Sequence, residues 1–395
     1  MAKPEIRLKG FEGEWEDVCF RDITYLAGTK NRDNLPLPSY SITNENGFVP
    51  QNEQFENGGT MANADKRMYY IVTPDTFAYN PARINVGSIG YDDLDKDVIV
   101  SSLYVIFKTD CKTNNYFLDK WFKTPHFKKL INLYQEGGVR LYFFYDKLCQ
   151  CHLFRPELKE QQSIANYFKS LDSMIQGVTK KIASLKQMKQ ACLVSMFPQA
   201  GETTPRVRFK GFKREWVNTK LGDVFSERVE SNINGEMLSV TMNSGIIKAS
   251  ENGRFDNSNS DKSHYKVVKI NDIAYNSMRM WQGASGCSPY EGIVSPAYTV
   301  ITPSEGINSQ FFAYMFKTLA LIKVFRLHSQ GLTSDTWNLK YPAFSKIRVY
   351  YPKDLVEQQQ IASFFRSMDS QISLQEARLE KLKQIKSACL DKMFV

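Results

Sequence analysis

From residue 164 onward the apolar side chains Ile164, Phe168, Leu171, Ile175, Val178, Ile182 and Leu185 recur at alternating steps of four and three. That spacing keeps one face of a helix turned toward a partner, the seam of a coiled coil. The register returns at Ile361, Phe365, Met368, Ile372, Gln375, Leu379 and Leu382. Each run predicts a helix of about 40 residues, roughly 60 Å long, too long for an ordinary amphipathic surface helix. Pro156-Glu157 before the first and Pro352 with Asp354 before the second suit a first helical turn. Lys189 and Lys386 interrupt both seams at the same place, and Met188 and Ile385 beside them predict a local shift of the apolar stripe.

Ahead of each helix the pattern is mixed. Residues 98–107 and 293–301 are rich in β-branched and aromatic side chains and predict strands; Asn57-Gly58-Gly59, Asn252-Gly253 and Gly137-Gly138 predict turns. Residues 115–133 and 309–327 carry apolar positions at helical spacing. Each half therefore opens with an α+β domain of about 150 residues.

The two halves are copies. Pro4, Arg7, Lys9, Gly10, Phe11, Glu14, Trp15 and Asp22 recur as Pro205, Arg208, Lys210, Gly211, Phe212, Glu215, Trp216 and Asp223. The helix openings match more closely still: Leu158, Glu160, Gln161, Gln162, Ile164, Ala165 and Phe168 answer to Leu355, Glu357, Gln358, Gln359, Ile361, Ala362 and Phe365. Between these ends Ala78, Tyr79, Asn80, Arg83, Gly87 and Gly90 answer to Ala274, Tyr275, Asn276, Arg279, Gly283 and Gly286. With a short polar linker from Pro198 to Pro205, seams that pair along their length make the helices antiparallel. The expected molecule is a dumbbell with a pseudo-twofold axis, its last residue, Val395, returning to the first domain.

Lysine and arginine outnumber aspartate and glutamate, 51 to 42, and the formal charge of +9 favours an anionic partner such as nucleic acid. No apolar run approaches a membrane span and the amino terminus lacks a secretory core, so a cytoplasmic protein is expected. The seven cysteines show neither a disulfide framework nor a paired zinc knuckle, and the isolated Cys149-x-Cys151 suits a structural role.

Catalytic chemistry has no foothold in the sequence. There is no G-x-x-x-x-G-K-[ST] phosphate loop. Asn80-Pro81 runs into Ala82-Arg83 and so departs from the Asn-Pro-Pro-aromatic motif of amino-methylating enzymes, and the four histidines lack zinc spacing. Pro74-Asp75 with the remote Glu157-x-Lys159 makes no convincing nuclease pattern. We expect no catalytic and no metal-binding residues, and a chain that recognises. If the halves read different bases, residues identical in both hold the fold or grip phosphate, while base readers differ. Asn80, Arg83, Asn276 and Arg279 are then phosphate or scaffold candidates, and Gly87, Gly90, Gly283 and Gly286 either admit a ligand or turn the chain. Lys66, Arg67, Asn85 and Arg140 in the first half, and Lys262, His264, Trp281, Gln282 and Ser334 in the second, are the candidate base readers.

The repeated head around Lys9-Gly10-Phe11 and Trp15, the stretch from Gly286 to Tyr298 with Val294-Ser295-Pro296, and the helix-opening Glu160-Gln161-Gln162-x-Ile164-Ala165 resemble the specificity subunits of type I restriction-modification systems. The resemblance covers nearly the whole chain. It implies target-recognition domains at residues 1–155 and 199–352, and conserved spacer helices at 156–198 and 353–395. Each domain would read one part of a bipartite, asymmetric double-stranded DNA site. It further implies two methylation subunits that modify adenine, and motor/endonuclease subunits that cleave DNA using ATP. On this reading S-adenosylmethionine, ATP and Mg belong to those partners and the chain itself holds no cofactor. Helices of about 60 Å would set a footprint of roughly 18 base pairs. The contrast of Ser101-Ser102-Leu103 with Ser295-Pro296-Ala297 predicts a local difference in fold or readout. Two other readings fit the residues: a stand-alone DNA-binding repressor, and a coiled-coil scaffold that ignores DNA.

Overall fold

A computed structural model describes residues 3–44, 46–54, 65–242, 244–252, 261–333 and 336–395. The chain forms two compact units, Met1–Thr179 with Ala377–Val395, and Lys180–Glu376. Both are α+β.

In the first unit the central antiparallel sheet has the strand order Thr24–Leu26, Val105–Thr109, Thr76–Tyr79, Ile89–Asp92. Beside it lie the small sheet of Thr29–Lys30, Tyr70–Val72 and Val98–Val100, and the hairpin Tyr40–Thr43 with Gly47–Pro50. Glu16–Cys19 pairs with His152–Arg155 just before the first long helix, Leu158–Ser195. The second unit repeats the plan. Its central order is Phe225–Glu227, Tyr298–Pro303, Ile273–Asn276, Ser285–Cys287, and Val217–Lys220 pairs with Arg348–Tyr351 just before the second long helix, Leu355–Lys392.

Each unit contains the head of one long helix and the tail of the other, running antiparallel. In the first unit Tyr167 meets Cys389 (3.4 Å) and Asp172 meets Lys386 (2.5 Å), so one segment advances as the other retreats. In the second, Lys189 pairs with Asp369 (2.5 Å) and Lys186 with Glu376 (2.7 Å). The predicted seam residues Ile164, Phe168, Leu171, Val178 and Ile182 are buried, as are Ile361, Phe365, Met368 and Ile372. Phe394 joins the first unit's core against Phe117 and Phe168, and Phe197 joins the second unit's core against Phe311 and Phe365. Each such ring buries enough apolar surface to contribute about 1.5–3 kcal/mol. The return of the chain's end to the first domain is borne out: Ile6 N donates to Lys392 O (2.9 Å), the counterpart of Val207 N donating to Ser195 O (2.9 Å).

The duplicated Glu-Gln-Gln opening is a lock between helix and domain. Glu160, 1% exposed, accepts two hydrogen bonds from the Arg7 guanidinium at 2.7 Å each. Glu357, also 1% exposed, accepts the same pair from Arg208 at 2.5 and 2.7 Å. The next residue binds backbone. Gln161 donates to Pro156 O and Lys112 O and accepts from Asn114 N, whose own side chain caps the helix Asn115–Trp121. Gln358 does likewise with Pro352 O, Gly306 O and Asn308 N. Removing either arginine leaves a carboxylate buried without its counterion, a cost of about 3–5 kcal/mol.

Four expectations change on contact with the structure. Residues 115–133 and 309–327 are each two helices, Asn115–Trp121 with Pro125–Tyr134 and Ser309–Met315 with Leu319–His328, because Thr124 and Thr318 cap a fresh start. The apolar stripe does not shift at the seam lysines. Met188 is 52% and Ile385 38% exposed, and the lysines instead meet Asp369 and Asp172. Ser101-Ser102-Leu103 and Ser295-Pro296-Ala297 form the same turn, with Tyr104 N on Ser101 O (3.2 Å) and Tyr298 N on Ser295 O (3.0 Å), so the fold does not differ there. Pro156-Glu157 and Pro352 precede the long helices, where the proline carbonyls serve the lock. The turn expected at Asn57-Gly58-Gly59, and Gly253, lie outside the described residues.

Candidate nucleic-acid interface

In both units the third strand of the central sheet, Thr76–Tyr79 or Ile273–Asn276, runs into a tight turn. Asn80 Oδ1 accepts from Ala82 N (3.0 Å) and Asn276 Oδ1 from Met278 N (3.0 Å), which closes the chain after the strand. A single 3-10 turn follows, Ile84–Val86 or Met280–Gln282, ended by Gly87 (φ 92°) or Gly283 (φ 80°). Only a residue without Cβ takes that left-handed conformation at no cost. Gly90 and Gly286 have a different reason: a Cβ would lie 3.0 Å from Gly47 Cα and 2.8 Å from Gly245 Cα, so two backbones cross there. The repeated glycines thus turn the chain and let strands pack.

The turn exposes Arg83 and Asn85 in the first unit and Arg279 and Gln282 in the second, with Trp281 half-buried. The arginines occupy equivalent backbone positions with nearly equal dihedral angles, φ −134° and −129°. Hydrogen bonds tie a hairpin to this turn. Phe143 N donates to Pro81 O (3.0 Å) and Leu339 N to Ser277 O (2.8 Å); each follows a short loop closed by a bridge, Glu136 with Tyr142 and Gln330 with Asn338. Arg140 projects, exposed, from the first of these loops. Asn80, Arg83, Asn85 and Arg140 are therefore gathered at one end of the first unit, as are Asn276, Arg279, Trp281 and Gln282 in the second.

Lys66, Arg67, Lys262 and His264 lie in another place, the loops entering the strands Tyr70–Val72 and Lys266–Val268. These two loops match: Arg67 N donates to Asp65 Oδ1 and Ser263 N to Asp261 Oδ1, both at 2.9 Å, and Lys66 O and Lys262 O accept from Tyr69 N and Tyr265 N. The two lysines are thus the same residue at the same position, the pattern argued above for a phosphate grip. Ser334 lies outside the described residues.

In the second unit two features strengthen the turn that the sequence reading missed. Lys317 donates to Gly283 O and to Met242 O, latching the turn to the hairpin Leu238–Thr241 with Gly245–Lys248. Burial, and then the nearby Lys189 charge, lower its ammonium to about 8. Trp281 donates its indole N–H to Met278 O (3.1 Å) and sets its ring edge-on to Trp337 at 5.2 Å, while Arg326 lies 5.0 Å over the face of Trp337. Neither Trp337 nor Arg326 has a matching residue in the first half, so the repeat offered no hint of them. Among the described residues no group of three or more His, Cys, Asp or Glu is placed to hold a metal ion, and no helix is long and apolar enough to cross a membrane.

Residues 213–384 match the family described as type I restriction modification DNA specificity domain. No curated protein matches the chain in sequence. Among solved structures, the type-I restriction-modification system S subunit from M. genitalium is similar over 100% of this chain and 99% of its own, at 14% identity and a TM-score of 0.60. A chain from the structure described as the basis of complex assembly and conformational transition of the type I R-M system covers 96% of this chain and 97% of its own, at 13% identity and a TM-score of 0.53.

Proposed function

We propose that this chain, which carries a type I restriction modification DNA specificity domain, is the DNA-recognition subunit of such a system and reads a bipartite site with its two units. The observation that carries the proposal is the duplication. The unit containing most of the matched residues has a counterpart of the same strand order and the same Arg–Glu lock, so a domain that reads DNA is present twice. Arg83, Arg279, Lys66 and Lys262, alike in both units, suit contacts to phosphate, which position the protein without selecting sequence. Asn85, Arg140, Trp281, Gln282 and their neighbours differ and suit base edges. Methylation of adenine and ATP-dependent cleavage fall to two methylation subunits and motor/endonuclease subunits, which bring S-adenosylmethionine, ATP and Mg; the chain itself is non-catalytic and works in the cytoplasm.

The test is to co-express the chain with the methylation subunit encoded beside it and map modified adenines on a plasmid. Two short half-sites at constant spacing, modified only when the chain is present, are the expected result. Unchanged methylation with salt-sensitive DNA binding favours a repressor, and the absence of DNA binding favours a scaffold.

A further inference from the structure

The chain has five tryptophans. Trp15, Trp121 and Trp216 are buried in the cores, while the other two, Trp281 and Trp337, are only half-buried and touch each other. We propose, building on the DNA-recognition reading, that Trp281, Trp337 and Arg326 form the sequence-selective site of the second unit, with the Arg326 guanidinium reading a guanine.

The geometry supports this in three steps. First, the site is built. Trp281 is fixed by its hydrogen bond to Met278 O, and Trp337 lies against it and under Arg326. A guanidinium lying over an indole loses little further freedom on forming a planar two-point contact, and the O6 and N7 acceptors of guanine match that fork. Second, the site stands at the end of the unit where the turn, the helix Leu319–His328 and the bridge of Gln330 with Asn338 meet. That helix carries Lys323, Arg326 and His328 and no acidic residue, a polarity that suits a phosphate-lined groove.

Third, the corresponding positions in the first unit are Asn85 on the turn, Asn132 on the helix Pro125–Tyr134 and Leu141 in the loop, all exposed. The framework is shared and the chemistry at these three points is not, as expected where two half-sites differ. Packing alone does not require the tryptophans, because the first unit holds the same turn and loop together without them.

The shared framework supplies the experiment. The triple variant Trp281→Asn, Arg326→Asn, Trp337→Leu gives the second unit residues that its twin already tolerates. In the methylation complex it is expected to relax or change the second half-site by at least tenfold in preference, while the first half-site stays as in wild type. Arg326→Lys keeps the charge but loses the planar fork, and is expected to relax one G·C position alone. Indole fluorescence gives a second readout: cognate duplex should quench wild type but not Trp281→Phe/Trp337→Phe, whether or not the triple variant folds. An unchanged second half-site in the triple variant, or equal quenching in the double variant, overturns the proposal. Failure of the wild-type complex to select any bipartite site overturns the DNA-recognition reading itself.

Discussion

The two units close on the same aspartate with different support. In the first, Asp172 is met by Lys386 at 2.5 Å, Lys120 at 2.9 Å and the Tyr116 hydroxyl at 3.0 Å. In the second, Asp369 is met by Lys189 at 2.5 Å and the Tyr314 hydroxyl at 2.8 Å; among the described residues no second lysine forms an ion pair with it, although the Lys317 ammonium is near enough to feel its charge. The tyrosines come from different turns of their helices, and Lys120 stands where the second unit has Tyr314. Only the lysine from the other long helix is common to both. A charge pair across a seam defines the register of two helices, because sliding either by a turn leaves both charges unpaired. Local partners have drifted while the register pair has stayed.

The largest effect expected from breaking this parallel is at the Arg–Glu locks. Arg7→Ala should destabilise the first unit by about 3–5 kcal/mol, because Glu160 remains buried. Arg208→Ala should cost the second unit less, since Trp216 Nε1 still donates to Glu357 at 3.3 Å, whereas Trp15 Nε1 has no partner among the described residues. Hydrogen exchange read separately over residues 98–109 and 292–303 distinguishes the two; equal losses in both variants would remove the role given to Trp216.

A smaller difference is expected at the seam. Lys189→Met removes the one lysine that forms an ion pair with Asp369 among the described residues and should cost ~1 kcal/mol after allowance for solvent screening, while Lys386→Met leaves Asp172 in contact with Lys120 and should cost less. Double-mutant cycles with Asp369→Asn and Asp172→Asn measure the two couplings, and a larger coupling at Asp172 would contradict the comparison.

The smallest effect depends on pH. Asp92 is buried, with Oδ2 lacking a partner among the described residues, where the second unit has Ser288; burial, against one hydrogen bond from Leu94 N, raises its carboxyl to about 6. The folded state therefore holds a proton that the unfolded chain releases. Stability of the first unit should fall as pH rises from about 4 to about 6 and then level off. Asp92→Asn should flatten that slope and leave the unit more stable at neutral pH. Chemical denaturation of both forms across this window is the check; parallel curves would rule the carboxyl out.

Most of the architecture was legible because it rests on periodicity and repetition. The seam spacing located both long helices, and the Lys189 and Lys386 interruptions were visible, although their meaning was not. A period describes one helix at a time, whereas the partner aspartate of each lysine lies on the other helix. The breaks at Thr124 and Thr318 were readable as caps, most plainly in Thr124-Pro125, but the continuing apolar spacing across them masked the signal. At the candidate interface, duplication singled out the turn with Asn80, Arg83 and their counterparts. It could not reveal Arg326 and Trp337, because a filter based on matched positions is blind to residues that occur once. Their only sequence trace was a tryptophan with no counterpart in the other half.

The exchange of helix ends also orders the making of the molecule. Residues 180–376 form the second unit without interruption, so everything it needs has been synthesised before residues 377–395 are made. The first unit begins earlier but lacks Met393 and Phe394 in its core, and the Ile6 partner Lys392, until residues 392–394 appear. During translation the half made first is thus the half finished last. For that interval an apolar slot beside Phe117 and Phe168 stays open to water, and a truncated or stalled chain would carry that exposed surface permanently.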